Sequence, residues 1–190
     1  RIAEWVDAHR EAAIDLLAKT VDINSGTMNA AGVRAVGDAM APEFTALGFE
    51  VRWESLPPEL ERAGHFHAER RGERGQRVLM IGHLDTVFEP DHPNQRFVRD
   101  GDTARGPGAA DMKGGNVAVL LALKALARVG ALDDTTITVI YTGDEERPGR
   151  PLDVSRKSLI EAARRSDVAL GFESSVRDGA QHFAVIARRS

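Results

Sequence analysis

Gly106-Pro107-Gly108-Ala109-Ala110-Asp111-Met112-Lys113-Gly114-Gly115 sets one acidic residue in a glycine-rich loop, directly before a helical run. Upstream lies Ile81-Gly82-His83-Leu84-Asp85-Thr86; downstream lie Tyr141-Thr142-Gly143-Asp144-Glu145-Glu146 and Gly171-Phe172-Glu173-Ser174. Two nucleotide-binding readings of the loop fail. A P-loop needs Lys followed by Ser or Thr, and here Lys113 is followed by Gly114. A dinucleotide fingerprint needs a buried strand before its glycines and a third glycine in step, whereas polar residues precede Gly106 and position 111 carries Asp.

Working outward, Asn116 to Val129 is rich in Ala and Leu, with Val117, Leu120, Leu121 and Ala125 at helical intervals, and Gly130 ends it. Val78-Leu79-Met80-Ile81 is a continuous apolar run, as in a strand covered on both faces. Thr136 to Thr142 is a β-branched strand, and Val168 to Phe172 reads as a final buried strand after a helix over Val154 to Arg165. Phe49 to Glu54 and His65 to Arg70 alternate as strands, the second more weakly. The charged segment Arg71 to Gln76 reads as the turn of a hairpin between its flanking segments. Phe88 to Thr103 reads as an irregular loop with room for short strands. Ile2 to Val21 carries helical spacing as one amphipathic helix, broken by Asn24-Ser25-Gly26-Thr27. Ala30 to Leu47 follows as a second helix, with Pro42 inside it as a source of a kink. Helices alternating with apolar strands predict an α/β three-layer sandwich on a largely parallel, mixed sheet.

The 190 residues suffice for one domain with a sizeable core, or one domain and part of another. A net charge of −4 gives no electrostatic footprint for nucleic acid, and no polybasic segment suggests a membrane surface. No apolar run is long enough for a transmembrane helix. With no cysteine, any metal must be held by nitrogen and oxygen ligands. The chain opens on Arg1 without a recognisable leader, and its last residues follow an apolar alternation with no stop signal. An excerpt or a processed chain is the expectation.

His83 directly follows one apolar strand, Glu145 and Glu146 follow another, Glu173 ends a third and Asp111 precedes a crossover helix. In open α/β sheets, sites gather at the carboxyl ends of the strands. Taken singly, each residue has a bland reading. His83 would be a structural histidine, Asp111 a helix N-cap and Asp144-Glu145-Glu146 a solvated loop. Yet adjacent carboxylates repel one another unless solvated or near a cation, and Glu173 after an apolar strand is costly unless paired. Asp85, two residues beyond His83, suits a carboxylate that orients a ligating imidazole. The convergence of these segments outweighs the separate bland readings.

In that order and spacing, the four motifs resemble the signature series of the co-catalytic zinc metallopeptidases of the M20 type, and most of all its glutamate carboxypeptidase branch. The group also includes acetylornithine and succinyl-diaminopimelate deacylases and aminoacylases. The resemblance implies two zinc ions, with cobalt or manganese as substitutes. Asp111 would bridge them, His83 and Glu173 would complete one metal's ligands and Glu146 would bind the other. Glu145 would be the general base and Asp85 would orient His83. It also implies a cis peptide at Asp111-Met112. The activity implied is cleavage of an amide or peptide bond, releasing a C-terminal amino acid such as glutamate. The substrate would be a small peptide or an N-acyl amino acid. The alternatives are deacylation of N-acyl amino acids and a non-catalytic metal-binding module.

The family's second metal takes a further histidine, and no position here matches it. His182 stands in no motif, His9 and His92 stand alone, and His65 and His67 read as surface residues. The resemblance therefore implies that residues 1–183 are the N-terminal portion of the catalytic domain. Residues 184–190 would begin the connection to an absent lid domain, through which the parent would dimerise. Little activity is expected of the 190-residue piece alone. The compartment stays open between cytoplasm and periplasm.

Overall fold

The computed structural model describes residues 2–174. Its N-terminal apolar stripe forms two helices rather than one, α1 (Ile2–Ala8) and α2 (Arg10–Val21). The break is at His9, whose Nδ1 lies 2.7 Å from the Trp5 carbonyl. That carbonyl is the one the His9 amide would use in a continuous helix. The amide turns instead to Val6, and the imidazole stacks on the Trp5 ring. α3 (Ala30–Ala46) begins at Asn29, whose side chain accepts the Gly32 amide, and runs on through Pro42.

β1 (Glu50–Glu54) and β2 (His65–Arg70) are antiparallel, and β3 (Arg74–His83) ends at His83. A small hairpin of β4 (Val98–Asp100) and β5 (Thr103–Arg105) stands apart from the main sheet. α4 (Gly114–Ala127) leads to β6 (Thr135–Thr142). α5 (Leu152–Ser155), α6 (Lys157–Arg164) and β7 (Val168–Gly171) complete the described chain.

The sheet order is β1-β2-β6-β3-β7. The expected hairpin around Arg71 to Gln76 is not formed, because β6 lies between β2 and β3. β6 is antiparallel to the first and parallel to the second. The connecting segment crosses under the start of β6. Thr136 Oγ1 accepts the Gly72 amide and donates to the Gly72 carbonyl. A side chain at Gly72 would collide with the Asp134 backbone. The sheet is therefore mixed, with β3 parallel to both of its neighbours.

Alternation along β3 divides the core into two. Val78 and Met80 face the helices α2, α3 and α4 in a cluster with Phe44, Phe66, Leu120 and Tyr141. Leu79 and Ile81 face Leu159 and Ala162 of α6 on the other side. Three layers result. Full burial of one such side chain stabilises the fold by about 1.5–3 kcal/mol.

Two burial expectations are corrected. His65 and His67 are buried, not superficial, since they point to the side of the sheet that α5 and α6 cover. β7 is not buried: Ala169, Leu170 and Gly171 are exposed, because among the described residues the strand pairs with β3 alone. An apolar run says only that a strand suits a sheet; its position in the order decides whether a second neighbour covers it.

Candidate metal centre

The carboxyl ends of β3, β6 and β7 lie side by side, His83 being in register with Thr142. This brings His83, the loop after Thr142 and Glu173 to one rim. The glycine-rich loop reaches the same rim. Gly108 adopts a positive φ of 69°, and the Lys113 amide closes back onto its carbonyl. Gly115 lets the start of α4 approach the Phe172 carbonyl, which a Cβ would meet at 2.0 Å. The Asp111–Met112 peptide is cis.

His83 is 1 % exposed and held at several points. Its carbonyl accepts the Asn116 side-chain amide at 2.6 Å, and its own amide meets Met112 Sδ at 3.2 Å. Nδ1 lies 3.0 Å from the Asp85 carbonyl and 3.4 Å from the Asp85 carboxylate. With Nδ1 so engaged, Nε2 is the ring nitrogen that faces the rim. Nε2 is 2.9 Å from Asp111 Oδ1 and 3.7 Å from Glu173 Oε1. One ligand atom from each of these three residues falls within 4.8 Å of the others. The Asp111 and Glu173 side chains are 62 % and 52 % exposed, so the cluster opens to solvent on the side away from His83.

The electrostatics fit a cation. Burial of the His83 ring disfavours its charged form, but the hydrogen bond and charge of Asp85, with Glu173 and Asp111 beyond, raise its pKa to about 9. Burial also raises Glu173, and the Asp111 and Glu145 carboxylates raise it further against the pull of His83. Glu146 is raised by burial and then by Asp111. Carboxylates that push one another toward the neutral form, beside an imidazole nitrogen, are a donor set for a divalent ion of borderline softness.

Asp85 does more than face His83. Its buried carboxylate accepts Thr27 Oγ1 at 2.7 Å, the Glu145 amide at 2.9 Å and the Glu146 amide at 3.0 Å. Burial works against its charge, yet the bonds to His83 and Thr27 hold its pKa below the ordinary aspartate value. Glu145 is exposed and Glu146 partly buried at the same rim.

Among the described residues, His83, Asp111 and Glu173 form the one such three-residue cluster. Glu146 is close enough to feel their charges but stands outside it. No other described histidine joins. His65 and His67 are hydrogen-bonded on the far side of the sheet, His9 stacks on Trp5 and His92 lies against Phe88. His182 lies outside the described residues. Sequence reasoning missed Thr27, Asn116 and Lys113. Lys113 is buried, its Nζ donating to the carbonyls of Thr20 and Ile23 at the end of α2, and burial lowers its pKa to about 8. Nothing local in sequence marks these residues, whose partners lie far along the chain.

The fold and donor set define an α/β domain with a metal-competent rim. Residues 79–185 match the model of peptidase family M20/M25/M40, and the chain belongs to that family. It is 37% identical over 163 residues to carboxypeptidase G2 of Pseudomonas sp. (strain RS-16), an alignment covering 85% of this chain and 38% of that protein. It is 29% identical over 143 residues to the succinyl-diaminopimelate desuccinylase of Leptothrix cholodnii, covering 71% of this chain and 36% of the relative. The crystal structure of human carnosine dipeptidase 1 superposes with a TM-score of 0.76 at 19% identity, over 92% of this chain and 41% of that one. The chain thus spans less than two fifths of the length of these curated relatives.

Proposed function

We propose that this chain carries the metal-binding half of a hydrolase active site that cleaves an amide bond and releases a C-terminal amino acid such as glutamate. The observation that carries the reading is the His83 Nε2, Asp111, Glu173 cluster with Glu145 exposed beside it. His83, Asp111 and Glu173 would hold one zinc ion; Asp111 and Glu146 would contribute to a second, with cobalt or manganese as substitutes. Such a metal pair, when bound, acidifies a water and polarises the scissile carbonyl. Glu145 is the general base: it takes the proton of the attacking water and later returns it to the leaving nitrogen. Its neighbour Glu146, whose pKa burial and the Asp111 charge raise, would take the ligand's task, so adjacent residues would divide the two. Asp85 orients His83 and fixes the amides of both glutamates.

The relatives support the substrate class. Similarity to carboxypeptidase G2 favours removal of a C-terminal residue, and similarity to a desuccinylase supports deacylation of an N-acyl amino acid as the second reading. The lengths of both relatives support a longer parent protein. In it, residues 1–183 form the first part of the catalytic domain, a later stretch of the chain supplies the remaining histidine ligand, and a lid domain supplies substrate contacts and a dimer interface.

The test is Glu145→Gln in the full-length protein, assayed on N-benzoylglutamate with metal content measured in parallel. Hydrolysis should fall by about 10²–10⁴-fold, the range for a general base, with zinc content unchanged. His83→Ala should lose zinc. Loss of zinc in Glu145→Gln, or full activity without Glu145, would remove the assignment.

A further inference from the structure

The loop that carries Glu145 is gripped from two sides. Asp144 is buried, and its carboxylate accepts Arg156 Nη1 at 2.7 Å and the Gly149 amide at 2.7 Å. Arg156 Nη2 also donates to the Asp144 main-chain carbonyl at 2.9 Å. That carbonyl belongs to the peptide group whose amide is Glu145 N, and Glu145 N donates to Asp85 Oδ1 at 2.9 Å. One peptide plane is therefore held by its oxygen from Arg156 and by its nitrogen from Asp85. The next peptide is held as well, Glu146 N donating to Asp85 Oδ2 at 3.0 Å, and with the planes on both sides of its Cα fixed the Glu145 side chain leaves the backbone in a set direction.

Arg156 is itself built in. Its neighbour Ser155 donates Oγ to the Gly149 carbonyl at 2.7 Å, and the Ser155 carbonyl meets His65 Nε2 at 2.6 Å. His65 Nδ1 accepts the Gly143 amide at 3.3 Å, so the buried imidazole ties both ends of the loop to β2. With the Gly143 amide donating to Nδ1, the Nε2 atom carries the proton to Ser155. Bonds at the buried residues Gly143, Asp144, Gly149 and Ser155 thus close the segment from Gly143 to Arg156 on itself, with Glu145 exposed on its outer side.

We infer that Arg156 is a positioning residue of the reaction, setting the direction of the Glu145 carboxylate by clamping the Asp144–Glu145 peptide. This rests on the role proposed above for Glu145. Arg156 is suited to the task because its planar fork meets a carboxylate oxygen and a carbonyl oxygen at once, which a lysine ammonium on a flexible stem does not reproduce.

The experiment compares Arg156→Ala and Arg156→Lys with the unmutated full-length zinc protein. It reads kcat and KM on N-benzoylglutamate, zinc content, and hydrogen exchange of the Glu145 and Glu146 amides. Misplacing a reacting group by about 1 Å costs on the order of 10²-fold. Arg156→Ala should lose kcat on that scale with KM and zinc content little changed, and its Glu145 amide should exchange faster. Arg156→Lys should lie between. Added guanidinium should restore part of the kcat of Arg156→Ala and none of that of Arg156→Lys. Parental kcat and parental exchange in a folded variant would overturn the inference. So would a fall in kcat that merely tracks lost zinc or global unfolding, without guanidinium rescue. If Arg156→Ala does not fold, Arg156→Lys carries the same readouts. If the unmutated protein hydrolyses nothing, the proposed function fails. Amide exchange then still decides the clamp: faster exchange at Glu145 supports it and unchanged exchange overturns it.

Discussion

Replacing Asp85 by Asn keeps shape and volume but removes a charge and turns one acceptor into a donor. The two carboxylate oxygens are not equivalent. Oδ1 accepts the Glu145 amide and faces His83 Nδ1, while Oδ2 accepts the Glu146 amide and the Thr27 hydroxyl. An NH2 at the Oδ1 position would face two donors. At the Oδ2 position, Thr27 can rotate its hydroxyl and accept, so only the Glu146 amide is left facing a donor. The second placement is the better one, and its cost is one orphaned buried amide, about 1–3 kcal/mol. For a chain of this size that is roughly 2–12 °C in melting temperature. Urea and thermal denaturation of Asp85→Asn measure it, and amide chemical shifts locate it. The shift should be larger at Glu146 than at Glu145. A variant within about 0.5 kcal/mol of the parent, the usual range of an inconsequential surface change, would refute this account of Asp85. So would a perturbation confined to His83.

Two further predictions concern the scaffold. Glu54 Oε2 lies 2.8 Å from His67 Nε2. Burial opposes its charge, but the His67 bond prevails and lowers its pKa to about 2 from 4.5. A lowered carboxylate pKa stabilises the fold above the unfolded value and is lost as pH falls through the folded one. Acid titration of stability should therefore show a loss between about pH 4.5 and 2 that Glu54→Gln abolishes; equal slopes in both proteins would count against it. Gly115→Ala would place a Cβ 2.0 Å from the Phe172 carbonyl. Overpacking of this kind costs about 1–3 kcal/mol, and because Phe172 precedes Glu173 the zinc affinity should fall with it. A parental urea midpoint and parental affinity would show that the close approach is not needed.

The candidate rim was legible because its residue types are costly anywhere else. A histidine at the end of an apolar strand and a glutamate after another need a reason, and four such reasons in order narrow the choice. The sheet order was not legible. Alternation in His65 to Arg70 marks a strand but says nothing of which strand lies beside it. The turn-like charged segment after Arg70 suggested a local partner where β6 is the real one. The burial of His65 and His67 was hidden for the same kind of reason. Polar residues can lie inside when their partners are present, and those partners, the Ser155 carbonyl and Glu54, come from other elements. The break at His9 is a side chain competing for a backbone acceptor, which apolar spacing does not register.

The same long-range logic explains why the site does not begin where the family match begins. The match starts at residue 79, yet Thr27, from the loop after α2, donates to the carboxylate on which the Glu145 and Glu146 amides converge. That loop is sewn to the strand end by backbone as well, the Thr86 amide donating to the Ser25 carbonyl and the Thr27 amide to the Thr86 carbonyl. Lys113, two residues past Asp111, reaches the Thr20 carbonyl of α2 and the Ile23 carbonyl just beyond that helix. Asp85 and Lys113 thus tie the two sides of the rim to the N-terminal layer. The first helices are part of how the rim holds its shape, because removing them with the loop that follows would take the Thr27 hydroxyl from the buried Asp85 carboxylate and the Thr20 and Ile23 carbonyls from the buried Lys113 ammonium.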